Sequence, residues 1–472
     1  MLPAFGDPQR LREIDEQLAR SPDDRELLFA RACALDQLGR NDDARDAYIA
    51  VIRRDGTHLG ALSNLGTLLY NAGYRSAARL TYAEALKHHP RDLNTLVNLG
   101  NALLESNDLY AAREYYERAL VVDASFAPAH QGMSHVLARI GETELAEQHR
   151  RAGFAAMPVT VGAFRGAGVP VPLLVLSSVH RANVPLDTPL DDHTFFTAKL
   201  FTDYYDPELP LPPHDVIFNS IGDADVAESS LRAAMLLLAN HGASAINPPE
   251  RVLGTGRAEM ARRLCGIAGL RVPHVQELHR DDVAQIESFP VLLRAPGFHT
   301  GEFFERVDDR AQLDAALARL PGDRILAIEL LDARGSDGAY RKYRLLSIGG
   351  VLYPVHLARS SQWKVHYFSA DLVRTPESIA EETAFLQNPR ASIGDRAMHA
   401  IEEAAARIEL DYFGIDFALD AQGNALFFEA NATMRAVIPG PNEPNDARRA
   451  AAFAANAALR ELVLRRSVRA RP

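Results

Sequence analysis

A step of 34 residues brings the first third of the chain into register with itself. Ala44, Ala78, Ala112 and Ala146 coincide, as do Tyr48, Tyr82 and Tyr116, and Leu35, Leu69, Leu103 and Leu137. Gly39, Gly73 and Gly141 share a position with Asn107, and Gly66 and Gly100 share another with Ala32 and Ser134. Pro90 and Pro158 fall two steps apart. Each copy is one supersecondary unit that cannot bury its apolar face alone, so the copies must stack. The small residues let the two helices of a copy approach closely, and the tyrosine fills the groove toward the next copy. The Gly or Asn ends the first helix in a left-handed conformation. Four copies are predicted, at 25–58, 59–92, 93–126 and 127–160, behind a capping helix over 9–20.

This pattern resembles the tetratricopeptide repeat and covers about a third of the chain. The resemblance implies an all-α solenoid over 1–158 with a concave face that binds a peptide or protein partner. Arg31, Asn64, Asn94 and Asn98 lie on the first helices of their copies. Asn64 and Asn98 are one repeat apart, as a ladder gripping peptide backbone requires. The alternative is that they are solvated or pair helices.

Composition sets outer limits. The 472 residues suffice for two to four domains of about 100–200 residues each. The net charge of −11 argues against a dominant nucleic-acid role, which needs a basic face. Two cysteines, Cys33 and Cys265, make no disulfide framework or metal cluster and fit a reducing cytosol. The first residues lack the basic and apolar runs of a signal peptide, and apolar stretches such as 169–176 are too short to span a bilayer. A cytoplasmic protein, away from membranes, is expected.

Glycines and prolines at 162, 166, 168, 170 and 172 break the helical period, so a linker is placed at 159–171. Beyond it, strands and helices alternate. An α/β lobe is predicted over 172–275, with strands at 171–177, 214–219 and 243–247 and helices at 229–240 and 257–268. An α+β region follows over 276–472. Its strands are expected at 290–294, 302–307, 325–331, 343–348, 351–358, 414–419 and 425–431, with helices at 397–410 and 450–464.

Chemistry concentrates in the last hairpin. Glu429 and Asn431 are two residues apart and share a face, and a turn at 420–424 brings Asp416 across from them. Two carboxylates and an amide oxygen suit a hard cation such as Mg²⁺, which keeps water and phosphate in its remaining positions. The bland alternative is a hairpin whose polar side chains face water. Phe427 and Phe428 argue for partial burial, where an uncompensated carboxylate is costly.

The order of parts over about 170–465 resembles the ATP-grasp ligases, of the glutathione-synthetase-like and ribosomal-protein-glutamate-ligase-like branch. The parts are Asn247-Pro-Pro, Gly269-Leu-Arg-Val-Pro273, the loop 295–301, Glu329-Leu-Leu331, and Gly414-Ile-Asp416 followed by Phe428-Glu429-Ala-Asn431. The resemblance implies ATP as substrate, with one or two Mg²⁺ ions (Mn²⁺ as substitute) held by Asp416, Glu429 and Asn431. Arg294 and Arg257 stand where the family usually has phosphate-binding lysines, and arginine keeps the charge with a different geometry. Gly297 and Gly301 bound the nucleotide loop, and Glu329 and Leu331 match the hinge that meets adenine and ribose. Arg344 is implied at the acyl phosphate, with Lys342 second on the same strand face. Arg435 is placed to stabilise the anionic tetrahedral intermediate. The stretch 354–366 gathers His356, Trp363, Lys364 and His366 as a candidate substrate rim, with solvated strand residues as the alternative.

The function expected from this combination is an ATP- and Mg²⁺-dependent carboxylate–amine ligase. Its peptide or protein substrate would be held by the repeats, and an amine would be the co-substrate. Two alternatives stand beside it: a small-metabolite ligase whose repeats mediate oligomerisation, and a nucleotide-binding scaffold without ligation.

Overall fold

The computed structural model describes residues 6–166, 168–180, 182–297, 302–365, 375–440 and 445–467. The chain divides into two compact units. One comprises Met1–Val175 and Leu190–Asp215, the other Leu176–Pro189 and Val216–Pro472.

The first unit opens with α1 (Pro8–Arg20) and four helix pairs: α2 (Arg25–Gln37) with α3 (Asn41–Arg54), α4 (Leu59–Asn71) with α5 (Arg75–His88), α6 (Leu93–Glu105) with α7 (Leu109–Val122), and α8 (Ala127–Ile140) with α9 (Thr143–Ala156). These are the four predicted repeats and their capping helix. The caps also keep the period: Asp24, His58 and Asp92 accept from the backbone N–H of Leu27, Ala61 and Thr95. Gly39, Gly73, Asn107 and Gly141 take positive φ just past the first helix of each pair, as expected. The alanines and tyrosines at the repeat positions are buried in two apolar clusters.

The stretch expected as a linker is built into this unit. It contains β1 (Val159–Val161) and runs up to the first residue of β2 (Val171–Ser177), and β1 pairs antiparallel with β3 (Phe195–Phe201), Val159 opposite Leu200. Phe154 of α9 packs on Phe201 with ring centroids 4.6 Å apart. Arg165, from the same stretch, is ion-paired with Asp36 of α2 at 3.2 Å and with Asp192.

The second unit begins with the end of β2, then β4 (Val216–Asn219), α10 (Glu228–His241), α11 (Pro249–Leu253) and α12 (Arg257–Leu264). The strand expected at 243–247 is reduced to a bridge between Ile246 and Phe218. There Asn247 donates to the carbonyl of Tyr412 at 2.6 Å and accepts its N–H at 2.8 Å, which gives the Asn-Pro-Pro motif a structural role. Next come β5 (Leu270–Arg271), β6 (Val275–His279), β7 (Val291–Arg294), β8 (Phe304–Val307), α13 (Leu313–Leu317) and β9 (Arg324–Glu329). A hairpin of β10 (Tyr340–Ile348) and β11 (Val351–Ser360) follows, then α14 (Pro376–Gln387), α15 (Pro389–Ile393) and α16 (Asp395–Ile408). The chain ends with β12 (Tyr412–Leu419), β13 (Ala425–Asn431) and α17 (Asp446–Arg466).

Strands β5 to β13 make two sheets, ordered β6-β9-β7-β8 and β11-β10-β12-β13-β5. The first covers a core that includes Leu293, Val307, Leu317 and Ile325. In the second, Gly349 and Gly350 both take positive φ between β10 and β11, the geometry of a two-residue hairpin that follows strand twist. One face of α16 buries Ala397, Ile401, Ala404 and Ile408, the spacing of an amphipathic helix.

Candidate functional site

The hairpin of β12 and β13 turns at Asp420, whose side chain accepts from the N–H groups of Gln422 and Asn424. That turn sets the register, and Asp416 lies directly opposite Glu429, with Gly414 opposite Asn431. A bulge follows Asp416, where the pairing shifts by one residue before Phe417. The amide oxygen of Asn431 accepts from the backbone N–H of Thr433 at 3.0 Å and from its hydroxyl at 2.7 Å, which fixes its orientation.

Strand β10 adds the cations. Arg344 faces Asp416 in register and grips it with two bonds, at 2.6 and 2.7 Å. Lys342, two residues earlier on the same face, reaches the same carboxylate at 3.1 Å. Arg341 points the other way, to Asp337 and Glu381, so the expected alternation holds. The second carboxylate, Glu429, is ion-paired with Arg257 at the first turn of α12. Burial raises a carboxyl pKa, but at Asp416 the Arg344 and Lys342 charges outweigh it and hold the group far below the usual range. At Glu429 burial is outweighed in the same way by Arg257, and the pKa falls to about 2. Both side chains are therefore anionic.

The first sheet supplies the facing wall. Arg294, at the end of β7, is buried, and burial together with the Arg257 charge pulls its pKa down to about 10. Its guanidinium lies 5.5 Å from the centre of the Phe304 ring. Trp363 meets the same ring edge-on at 5.4 Å, and Lys364 donates to the Phe304 carbonyl at 3.2 Å. Glu329, at the end of β9, accepts from Arg271 at 3.1 Å and from the His274 N–H at 3.0 Å. Between these groups lies a cavity of about 410 Å³, within the size of small-molecule sites. Its wall includes Arg257, Arg294, Glu329, Leu331, Lys342, Arg344, Lys364, Asp416, Glu429, Asn431 and Arg435.

Twelve residues expected to form a site, Trp363 among them, thus share one cavity wall. Others lie elsewhere. Gly297 has positive φ in the exposed loop after β7, and Gly301 and His366 fall outside the described residues. His356 is buried on β11 opposite Arg344, and is not on the cavity wall. In the repeats, Asn64 donates to the Tyr48 hydroxyl at 3.3 Å and approaches the Cys33 sulfur, so it pairs helices. Asn98 is half-buried on α6. Sequence reasoning passed over Phe304 and the Thr433 clasp on Asn431. The second carried a signal, a hydroxyl two residues after an Asn. It also missed Asp223 and Asp225, which add negative charge near Arg257.

Among the described residues, no group of three His, Cys, Asp or Glu side chains gathers at metal-binding range. The set here is two carboxylates and an oriented amide oxygen, all hard donors, which fits magnesium that keeps water and phosphate as its other ligands. No described helix is long and apolar enough to cross a membrane.

A family profile described as the tetratricopeptide repeat matches residues 93–125, and the first unit carries such repeats. No curated protein matches the chain. Among solved structures, it is similar to "MamA 41-end" from Desulfovibrio magneticus RS-1, at 22% identity over 30% of this chain and 81% of that one, TM-score 0.29. A tetratricopeptide repeat protein from Parabacteroides merdae matches at 16% identity over 31% and 59%, TM-score 0.29. Pseudomonas aeruginosa pilF matches at 21% over 30% and 64%, TM-score 0.28. Scores this low carry no argument about function.

Proposed function

We propose that the second unit is an ATP- and Mg²⁺-dependent ligase that joins a carboxylate to an amine through an acyl phosphate. We further propose that a peptide or protein held by the repeats supplies one of the two groups. The observation that carries this reading is a single cavity in which two opposed, anionic carboxylates are surrounded by cations from both sheets.

Asp416, Glu429 and Asn431 would hold the magnesium ion. Bound there, it would neutralise charge on the transferred phosphoryl group. Arg257 and Arg294 would bind phosphate oxygens, and Glu329 and Leu331 the adenosine end. Arg344 would orient the substrate carboxylate, and Arg435 would meet the oxyanion formed when the amine attacks. No protein nucleophile is required, so positioning supplies most of the rate.

ADP release, screened over candidate peptides and amines, tests the reading. Asp416→Asn and Glu429→Gln should each lower turnover by at least about 100-fold, the scale of losing one charge-stabilising group. Equal turnover in either variant and the native protein would overturn the assignment. A second reading, a nucleotide-binding scaffold that does not ligate, is favoured by one observation: each carboxylate is already ion-paired within the protein. Absence of ADP release with every carboxylate and amine pair would support it.

A further inference from the structure

The same ion pairs have a consequence for what the free cavity accepts. Arg344 and Lys342 close on Asp416, and Arg257 closes on Glu429. Arg294, Lys364 and Arg435 share the wall, whereas the other acidic side chain there, Glu329, is engaged by Arg271. With Arg341, also on the wall, held by Asp337 and Glu381, six cations stand against the two ion-paired carboxylates, in a chain whose net charge is −11. A metal ion arriving alone would have to displace three cationic side chains from two carboxylates and leave them unpaired in a confined space. Unpaired buried charge is the costliest arrangement available to a protein interior. A polyphosphate faces the opposite balance. It offers oxygens that guanidinium groups bind at least as well as they bind carboxylate, and its negative charge offsets the excess of cations over carboxylates on the wall, an excess that a metal ion would increase.

We infer that the free cavity is a self-neutralised polyphosphate receptor: it binds a triphosphate chain without metal, and its carboxylates accept a divalent ion only once phosphate has drawn Arg257, Lys342 and Arg344 away. This rests on the nucleotide-binding part of the proposed function and is independent of ligation. It orders the site: anion first or together with the metal, never metal first. It also gives the carboxylates a second role, as internal competitors of phosphate.

Trp363 is the chain's one tryptophan and lines the cavity against Phe304, so its emission reports occupancy. The full chain is titrated with tripolyphosphate in EDTA, with ATP in EDTA, and with MgCl₂ alone against KCl of equal ionic strength. Tripolyphosphate and ATP should each give a saturable change, and MgCl₂ no more than KCl. Asp416→Asn and Glu429→Gln each remove one internal competitor. Each should tighten metal-free tripolyphosphate binding by about threefold to tenfold, the worth of one charged pair near 1 kcal/mol. The direction is opposite to their expected effect on turnover. Saturable binding of Mg²⁺ alone would overturn the inference. So would a strict need for Mg²⁺ in tripolyphosphate binding, or weaker metal-free binding in the variants. Should the variants fail to fold, the three titrations of the native chain still decide. If ADP release is absent while metal-free binding holds, the ligase reading fails and the receptor stands.

Discussion

Asp416 is fully buried and remains ionised because three bonds from two cationic side chains reach it. That stabilisation carries a pH signature. A carboxylate whose folded pKa is depressed contributes stability above its unfolded value, near 4. It loses that stability as pH falls through the folded value, which for Glu429 is about 2. His356 adds an earlier loss. Burial, and then the Arg344 charge, push its pKa well below the ordinary histidine value. Below the unfolded value near 6.5 the unfolded chain binds a proton that the folded chain refuses, so stability falls by up to about 1.4 kcal/mol per pH unit. His149 in the first unit is shifted in the same direction by burial and by His130. Calorimetry over a pH series should show unfolding temperatures that are level above about 6.5, decline below it, and fall faster below about 4. His356→Gln should remove part of the first decline and leave the second. An unchanged first slope in that variant would remove His356 from the account.

Among the elements, the repeats test close packing most directly. Tyr116 is wedged between Gly100 of its own repeat and Gly132 of the next. A Cβ at Gly132 would lie 2.3 Å from the ring, and one at Gly100 2.7 Å. Gly132→Ala gains up to about 1 kcal/mol of helix propensity but forces the ring aside. Overpacking of that kind costs about 1–3 kcal/mol, so net destabilisation in urea unfolding is expected. Gly73, with φ of 86° and no atom within 4 Å of an added Cβ, has only its backbone conformation to protect. Since Asn107 occupies the equivalent position at φ 64°, Gly73→Asn should change stability little. These elements were legible because one period recurs over four copies and every small residue has a counterpart to check it against. The hairpin of Asp416 and Glu429 was legible for a similar reason: an alternating run, a turn and a returning run are local. The missed strand Phe195–Phe201 buries Phe196, Ala198 and Leu200 in alternation, a signal present but flanked by turn-rich sequence that hid it. Neither the Arg257–Glu429 pair nor the Asp416–Arg344 grip was legible, since their partners lie 172 and 72 residues apart and only the folded sheet brings them together.

At the scale of the whole molecule, the peptide reading needs a test that respects how the chain divides. Cutting after residue 160 would split the first unit, because β1 pairs with β3 and Phe154 packs on Phe201. The repeats therefore have to be probed by substitution in the full chain. Asn64 is a poor probe, since it bonds Tyr48 and its loss would disturb helix pairing. Asn94 is exposed and Asn98 half-buried on α6, four residues apart and thus on one helix face. If the groove holds the peptide, the Asn94→Ala, Asn98→Ala double variant should raise the KM for a peptide substrate about thirtyfold, as expected for two lost hydrogen bonds of about 1 kcal/mol each. Its kcat at saturation, and its turnover of any small amine, should stay at the native level, because chemistry in the second unit is untouched. A rise in KM for small amines as well would indicate a general structural effect. Unchanged peptide KM, with small amines turned over as well as peptides, would favour the metabolite ligase and leave the repeats to oligomerisation, which sedentary groove substitutions would not alter but light scattering would register.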